Sequence, residues 1–136
     1  MVRTIDEVYE RLQKGMKSDK TGLYFEFRGK ILASYLPKEM LEKIGIEPTE
    51  DFKPLELNEE TIINEMKEYF PFAVDKAICE RGISASRSVE HYEEWIWLLG
   101  DDKFLEEIRE TEYAWYGKPI LLKIAKKYGF DYSELE

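Results

Sequence analysis

Residues 82–100 read G-I-S-A-S-R-S-V-E-H-Y-E-E-W-I-W-L-L-G, and this stretch decides how the rest of the chain is read. Ala85, Val89, Tyr92, Ile96 and Leu99 recur at steps of three and four, the spacing that puts side chains on one face of a helix over residues 84–99. Trp95 and Leu98 widen that face. Trp97 does not join it, because positions two apart on a helix lie about 200° from each other. A helix carrying both indoles is therefore either buried on two sides or shows one ring to solvent. Gly100 ends it, and Gly82 sits where a left-handed residue closes the helix before.

Working outward toward the N-terminus, residues 72–81 form a helix that Pro71 separates from an earlier one. Asn58 caps that earlier helix, with Ile62, Ile63, Met66 and Phe70 inward and Glu59, Glu60, Glu65 and Glu68 outward. Toward the C-terminus, Asp101 or Asp102 caps a short helix with Phe104, Leu105 and Ile108 inside. Pro119 starts a last helix bearing Ile120, Leu121, Ile124, Ala125 and Tyr128, and Gly129 stops it. At the other end of the chain, Thr4 and Glu7 have the spacing of a capping box for a helix with the stripe Ile5, Val8, Leu12 and Met16. Its Arg11, Lys14 and Lys17, and Lys20 beyond them, point to solvent on this reading.

From Leu23 to Tyr35 the apolar period changes to two. Leu23, Phe25 and Phe27 share one face before Arg28-Gly29-Lys30, and Ile31, Ala33 and Tyr35 share it afterwards. This predicts a β-hairpin turning at Gly29. Two strands alone are marginal in water, so the hairpin packs on helices or gains a strand from a second copy, which is a route to a homodimer. Pro37 opens a short helix ending near Gly45, and residues 46–57 form an irregular acidic loop broken by Pro48 and Pro54. The expected fold is mainly α (α+β): a compact bundle of six to seven short helices with one N-terminal β-hairpin, a single domain over residues 1–136.

Composition supports a packed core. The chain has 136 residues with 43% hydrophobic and 14% aromatic side chains, which at this length buries roughly two-thirds of the unfolded surface. The formal charge of −9 is uneven: residues 39–112 hold 8 Lys/Arg against 21 Asp/Glu, while residues 1–38 hold 8 against 5. Such a chain has no general attraction for a phosphate backbone. Gln13 is the only glutamine and Asn58 and Asn64 the only asparagines, a thermophile-like profile. A lone Cys79 makes no internal disulfide. With no secretory leader and no apolar run of membrane-spanning length, the expected location is cytoplasmic.

The densest polar cluster is Arg81, Gly82, Ser84, Ser86, Arg87 and Ser88. Hydroxyls, guanidiniums and helix-start N–H groups there are the donors that a phosphate or carboxylate needs, while a serine cap with arginine–glutamate pairs explains the same residues structurally. The segment also resembles a helix-turn-helix over about 20 residues, with Gly82-Ile83-Ser84 as the turn and Ser86, Arg87 and Ser88 opening a recognition helix. It departs from that pattern at Ile78, where alanine is usual, and at Val89, one place late. Glu90, Glu93 and Glu94 then place acid where a phosphate backbone would pass.

No catalytic set, metal site or cofactor motif is expected. His91 is the only histidine; Glu94 at i+3 gives two ligands at most, and Ser88 stands where an E-x-x-H metal helix needs glutamate. The acid pairs Glu93-Glu94, Asp101-Asp102 and Glu106-Glu107 are the alternative bases for a small enzyme. Trp95, Trp97, Tyr113, Trp115 and Tyr116 make the candidate interface, since an exposed aromatic patch suits a protein partner. The leading expectation is a non-enzymatic interaction or regulatory domain, partnered by another protein or by its own copy. The alternatives are binding of a phosphate-bearing ligand or nucleic acid at residues 81–88, and an enzyme using His91 or an acid pair.

Overall fold

The computed structural model describes residues 1–19, 21–79, 83–111 and 117–135, and their side chains apart from those of residues 79 and 83–86. Among the described residues the chain is all-α, with seven helices and no strand. They are α1 (Ile5–Ser18), α2 (a π-helical stretch Phe25–Gly29 running into Lys30–Ala33), α3 (Lys38–Lys43), α4 (Glu59–Cys79), α5 (Ile83–Leu99), α6 (Asp102–Glu110) and α7 (Lys118–Tyr128). A 3-10 turn, Ser133–Leu135, follows. No helix is long and apolar enough to cross a membrane, among the described residues.

The predicted hairpin is replaced by α2. Gly29 has φ −64° and ψ −34°, ordinary right-handed helix, so it is not the turn residue. The period of two in Leu23, Phe25 and Phe27 competes with a helical set in the same stretch. Gly29, Leu32, Ala33 and Leu36, at steps of three and four, become buried together with Tyr35, while Leu23 stays exposed and Phe25, Phe27 and Ile31 are half-buried. A helix satisfies its own backbone N–H and C=O groups, whereas an isolated hairpin leaves two open edges. Lys30 and Glu26, four apart, add an ion pair of 2.9 Å along the helix. Gly29 lets α2 lie close to α1: a Cβ there would stand 3.2 Å from Leu12.

Pro71 does not divide α4, which runs unbroken through it. The proline ring is on the exposed side of the helix, where its lost hydrogen bond leaves the freed carbonyl within reach of water. α4 and α5 form the central pair. Ile62, Met66, Phe70, Ala73 and Ala77 of α4 and Val89, Tyr92, Ile96 and Leu98 of α5 are all buried, and each large one contributes roughly 1.5–3 kcal/mol. The Tyr92 hydroxyl crosses between them and donates to the Met66 carbonyl at 2.8 Å.

The caps follow the sequence. Thr4 and Glu7 make the capping box of α1. Asn58 Oδ1 accepts from the Thr61 N–H at 2.8 Å, and Asp101 caps α6. Gly129, at φ 80°, ends α7 in the left-handed conformation. The C-terminal end of α5 is closed from a distance. The Arg3 backbone N–H donates to the Leu98 carbonyl at 2.9 Å, and its Nε donates to the Trp97 carbonyl at 3.0 Å. A cation at a helix C-terminus also complements the dipole.

Candidate functional site

Two clefts flank α5, and they differ in whether their polar groups are already satisfied. The first, of about 590 Å³, opens between α1, α2 and α5. Its floor is Glu94, whose side chain is fully buried. Arg11 of α1 grips that carboxylate with both ends of its guanidinium, Nε to Oε2 at 2.8 Å and Nη2 to Oε1 at 3.1 Å. Arg28, on the π-helical part of α2, reaches Glu94 at 3.4 Å, Glu93 at 2.9 Å and Glu90 at 3.9 Å. Burial opposes the Arg28 charge, but Glu93, Glu94 and Glu90 outweigh it and hold the guanidinium above its ordinary value.

Trp97 lies in the same cleft beneath two guanidiniums, Arg3 at 4.7 Å and Arg11 at 4.5 Å from its ring centre. Tyr24 packs over Gly15, where a Cβ would fall inside the phenol ring, and its hydroxyl donates to the Arg11 carbonyl at 3.3 Å. Burial, then the nearby Glu94, pushes the Tyr24 hydroxyl up to about 12. Every charge at this floor has its partner. The cluster ties α1 and α2 to α5.

The second cleft, of about 400 Å³, lies where α2, α4 and α5 converge. Tyr69 is the hub of its rings, with centroids 5.1 Å from His91, 5.4 Å from Trp95 and 5.8 Å from Tyr92. Its hydroxyl lies 3.3 Å from Ser88 Oγ. The rim carries Glu26, Glu65 and Glu68 against one cation, Lys30. Lys30 pairs with Glu26, and neither Glu65 nor Glu68 meets a cation among the described residues. Burial raises Glu65, and the Glu68 charge raises it further.

His91 is lowered to about 4, first by burial and then by the Lys30 and Arg28 charges, so it is a neutral imidazole at pH 7. Its Nδ1 is sealed from solvent and has no hydrogen-bond partner. The Tyr35 hydroxyl, on a side chain 2% exposed, is sealed in the core against Trp95 and is raised by burial and then by the Glu65 charge. Here the polar groups are left over.

Of the anion cluster predicted from sequence, Arg81 and Gly82 lie outside the described residues, as do the side chains of Ser84 and Ser86. The two members that are described diverge. Arg87 is exposed, with its guanidinium 4.0 Å above the Phe27 ring, while Ser88 is buried beside Tyr69. Of the aromatic interface, Tyr113, Trp115 and Tyr116 lie outside the described residues. Trp95 is 4% exposed within the Tyr69 cluster, and Trp97 is half-buried under its two arginines. The two indoles thus enter different surroundings, as their separation on the helix requires.

Two of the three acid pairs are occupied, while Glu106 and Glu107 are exposed on α6. Glu93 and Glu94 hold arginines, Asp101 caps α6 and Asp102 pairs with Arg3. Among the described residues no group of three or more His, Cys, Asp or Glu could hold a metal ion. A histidine that protonates near pH 4 is a weak base at pH 7, and among the described residues no hydroxyl makes a hydrogen bond to it. The structure adds Tyr69, Glu65 and Glu68 to His91. Comparison with protein-family models, with curated proteins and with solved structures finds no match to the chain.

Proposed function

We propose that this chain is a small non-enzymatic binding domain whose ligand seats in the cleft between α2, α4 and α5, on the Tyr69 and His91 rings. One observation carries the reading. In the cleft on the Tyr69 and His91 rings the Glu65 and Glu68 carboxylates stand at the rim and meet no cation among the described residues, whereas the carboxylate at the floor of the Arg11 cleft is fully paired. A concave site with aromatic walls and a few convergent polar groups is the usual form of a binding pocket. The reading keeps the central helix as the working element and moves the contact from Trp97 and Trp115 to Tyr69 and His91.

The test is a thermal-shift panel of alkylamines, carboxylates, phosphates, nucleotides, neutral polyols and short duplex DNA, run on the wild type and on Ser34→Phe. Ser34 lines the cleft from the end of α2, so a phenyl group there fills it. A ligand that raises the melting temperature of the wild type and not of the variant, and that mass spectrometry recovers unchanged, supports the reading. Stabilisation that survives Ser34→Phe, or none from any class, refutes it. A shift from phosphates, nucleotides or DNA that survives Ser34→Phe and disappears in Arg87→Ala would favour the anion cluster instead.

A further inference from the structure

We infer that the ligand of this cleft is an organic cation, an alkylammonium or guanidinium group carried on an apolar stem. The inference rests on the binding reading above and names the chemistry that the site recognises. Two features converge on it. First, the rim is anionic, three glutamates against one lysine, and Lys30 is already spent on Glu26. Glu65 and Glu68 stand one turn apart on α4 and repel each other, with burial adding to the cost of charging Glu65. A cation between them removes the repulsion and supplies the missing counter-charge.

Second, the wall is aromatic. The Tyr69 ring is half-buried, with His91 at 5.1 Å and Trp95 at 5.4 Å in the same wall, while the neighbouring Phe72 ring carries Lys76 at 5.0 Å. π-faces at a cleft wall attract a cation through the ring quadrupole, by about 0.5–2 kcal/mol according to how far the group is desolvated. A phosphate or carboxylate would meet the same faces and the same glutamates with the opposite sign. Ile31 gives the apolar surface on which a stem can lie.

Butylammonium, tetramethylammonium and an Ala-Lys-Ala peptide serve as probes for isothermal titration, with butyrate and butanol as controls. The wild type, Glu65→Gln, Glu68→Gln and the double variant are compared. These side chains are half-buried or exposed and make no ion pair, so the variants fold. The expected result is that the amines bind, the controls do not, and the double variant weakens binding at least tenfold. Tighter binding of the peptide than of butylammonium identifies the source as a lysine of a partner chain. Equal or weaker binding of the peptide identifies a free amine. If butyrate or butanol binds as well as the amines, and Ser34→Phe abolishes it, the cation inference is overturned while the cleft reading stands. Cation binding unchanged in the double variant also overturns it. If no probe binds and the full panel gives no shift, both readings fall.

Discussion

Replacing Glu94 by glutamine tests whether the first cleft is a structural clamp. Glutamine keeps the size of glutamate but turns one acceptor oxygen into an NH2 group. That group must face either Arg11 Nε or Arg11 Nη2, now 2.8 and 3.1 Å from carboxylate oxygens, so a donor meets a donor. Breaking one partner of a buried ion pair costs about 3–5 kcal/mol. Two facts pull the value toward the lower end. The Arg11 and Arg28 side chains keep 28% and 25% of their exposure, so water takes up part of the lost interaction, and Arg28 retains Glu93. The expected loss is about 3 kcal/mol. With a urea dependence of about 1.5–2 kcal/mol per molar, the unfolding midpoint falls by roughly 1.5–2 M. The matched double variant Arg11→Met with Glu94→Leu replaces the pair by apolar groups of similar size and should stay within about 1 kcal/mol of wild type. A Glu94→Gln protein within about 0.5 kcal/mol of wild type would refute the clamp and make the Arg11–Glu94 pair available to a ligand.

Other substitutions report on separate parts of the argument. His91 protonates near 4 in the folded chain and near 6.5 when unfolded, so the unfolded state binds more protons between those values. Its contribution is therefore complete above pH 6.5 and is lost as pH falls toward 4. Solvent at the cleft mouth leaves about 1–2 kcal/mol of this, read as the difference between wild type and His91→Phe in urea titrations at pH 7 and 4.5. A constant difference across that range would contradict the buried neutral imidazole. Gly15→Ala should destabilise by about 1–3 kcal/mol although alanine favours helix, because its methyl group displaces the Tyr24 ring. An unchanged melting temperature would show that the ring yields freely. Thr4→Ala removes the acceptor for the Glu7 N–H and should cost about 1 kcal/mol in urea unfolding; a loss below 0.2 kcal/mol would mean that the box contributes nothing.

Local signals carried most of the helices. Capping chemistry at Thr4, Asn58, Asp101 and Gly129 depends on neighbours within four residues, so it is written in the order of the chain. α2 was misread because two periods overlap in it. Phe25 and Phe27 are bulky and catch the eye, while the helical face turns on Gly29, whose smallness is what lets α2 approach α1. Sequence periodicity weighs size and apolarity, and close approach rewards the reverse. Pro71 was over-read for a related reason: the cost of a helical proline depends on whether its freed carbonyl meets water, and that is a property of the packed surface.

The candidate site was half legible. The choice of the central helix and of His91 as its singular residue came from composition. What the chain order hides is pairing at a distance: Arg11 meets Glu94 across 83 residues, and Arg28 meets it across 66. In sequence Arg11 looks like one more surface cation of α1, and Glu93-Glu94 like a solvated acidic step. In the fold they neutralise each other, which removes them from the list of groups waiting for a ligand. Glu65 and Glu68 undergo the opposite change. They sit in sequence as unremarkable outward acids of α4, and α5 docks the His91 and Trp95 rings beside them while the lysine that α2 brings, Lys30, pairs with Glu26. On the proposed reading the functional signal is a remainder: the charge still unmatched after the helices have packed, which can be counted only when every distant pair has been drawn.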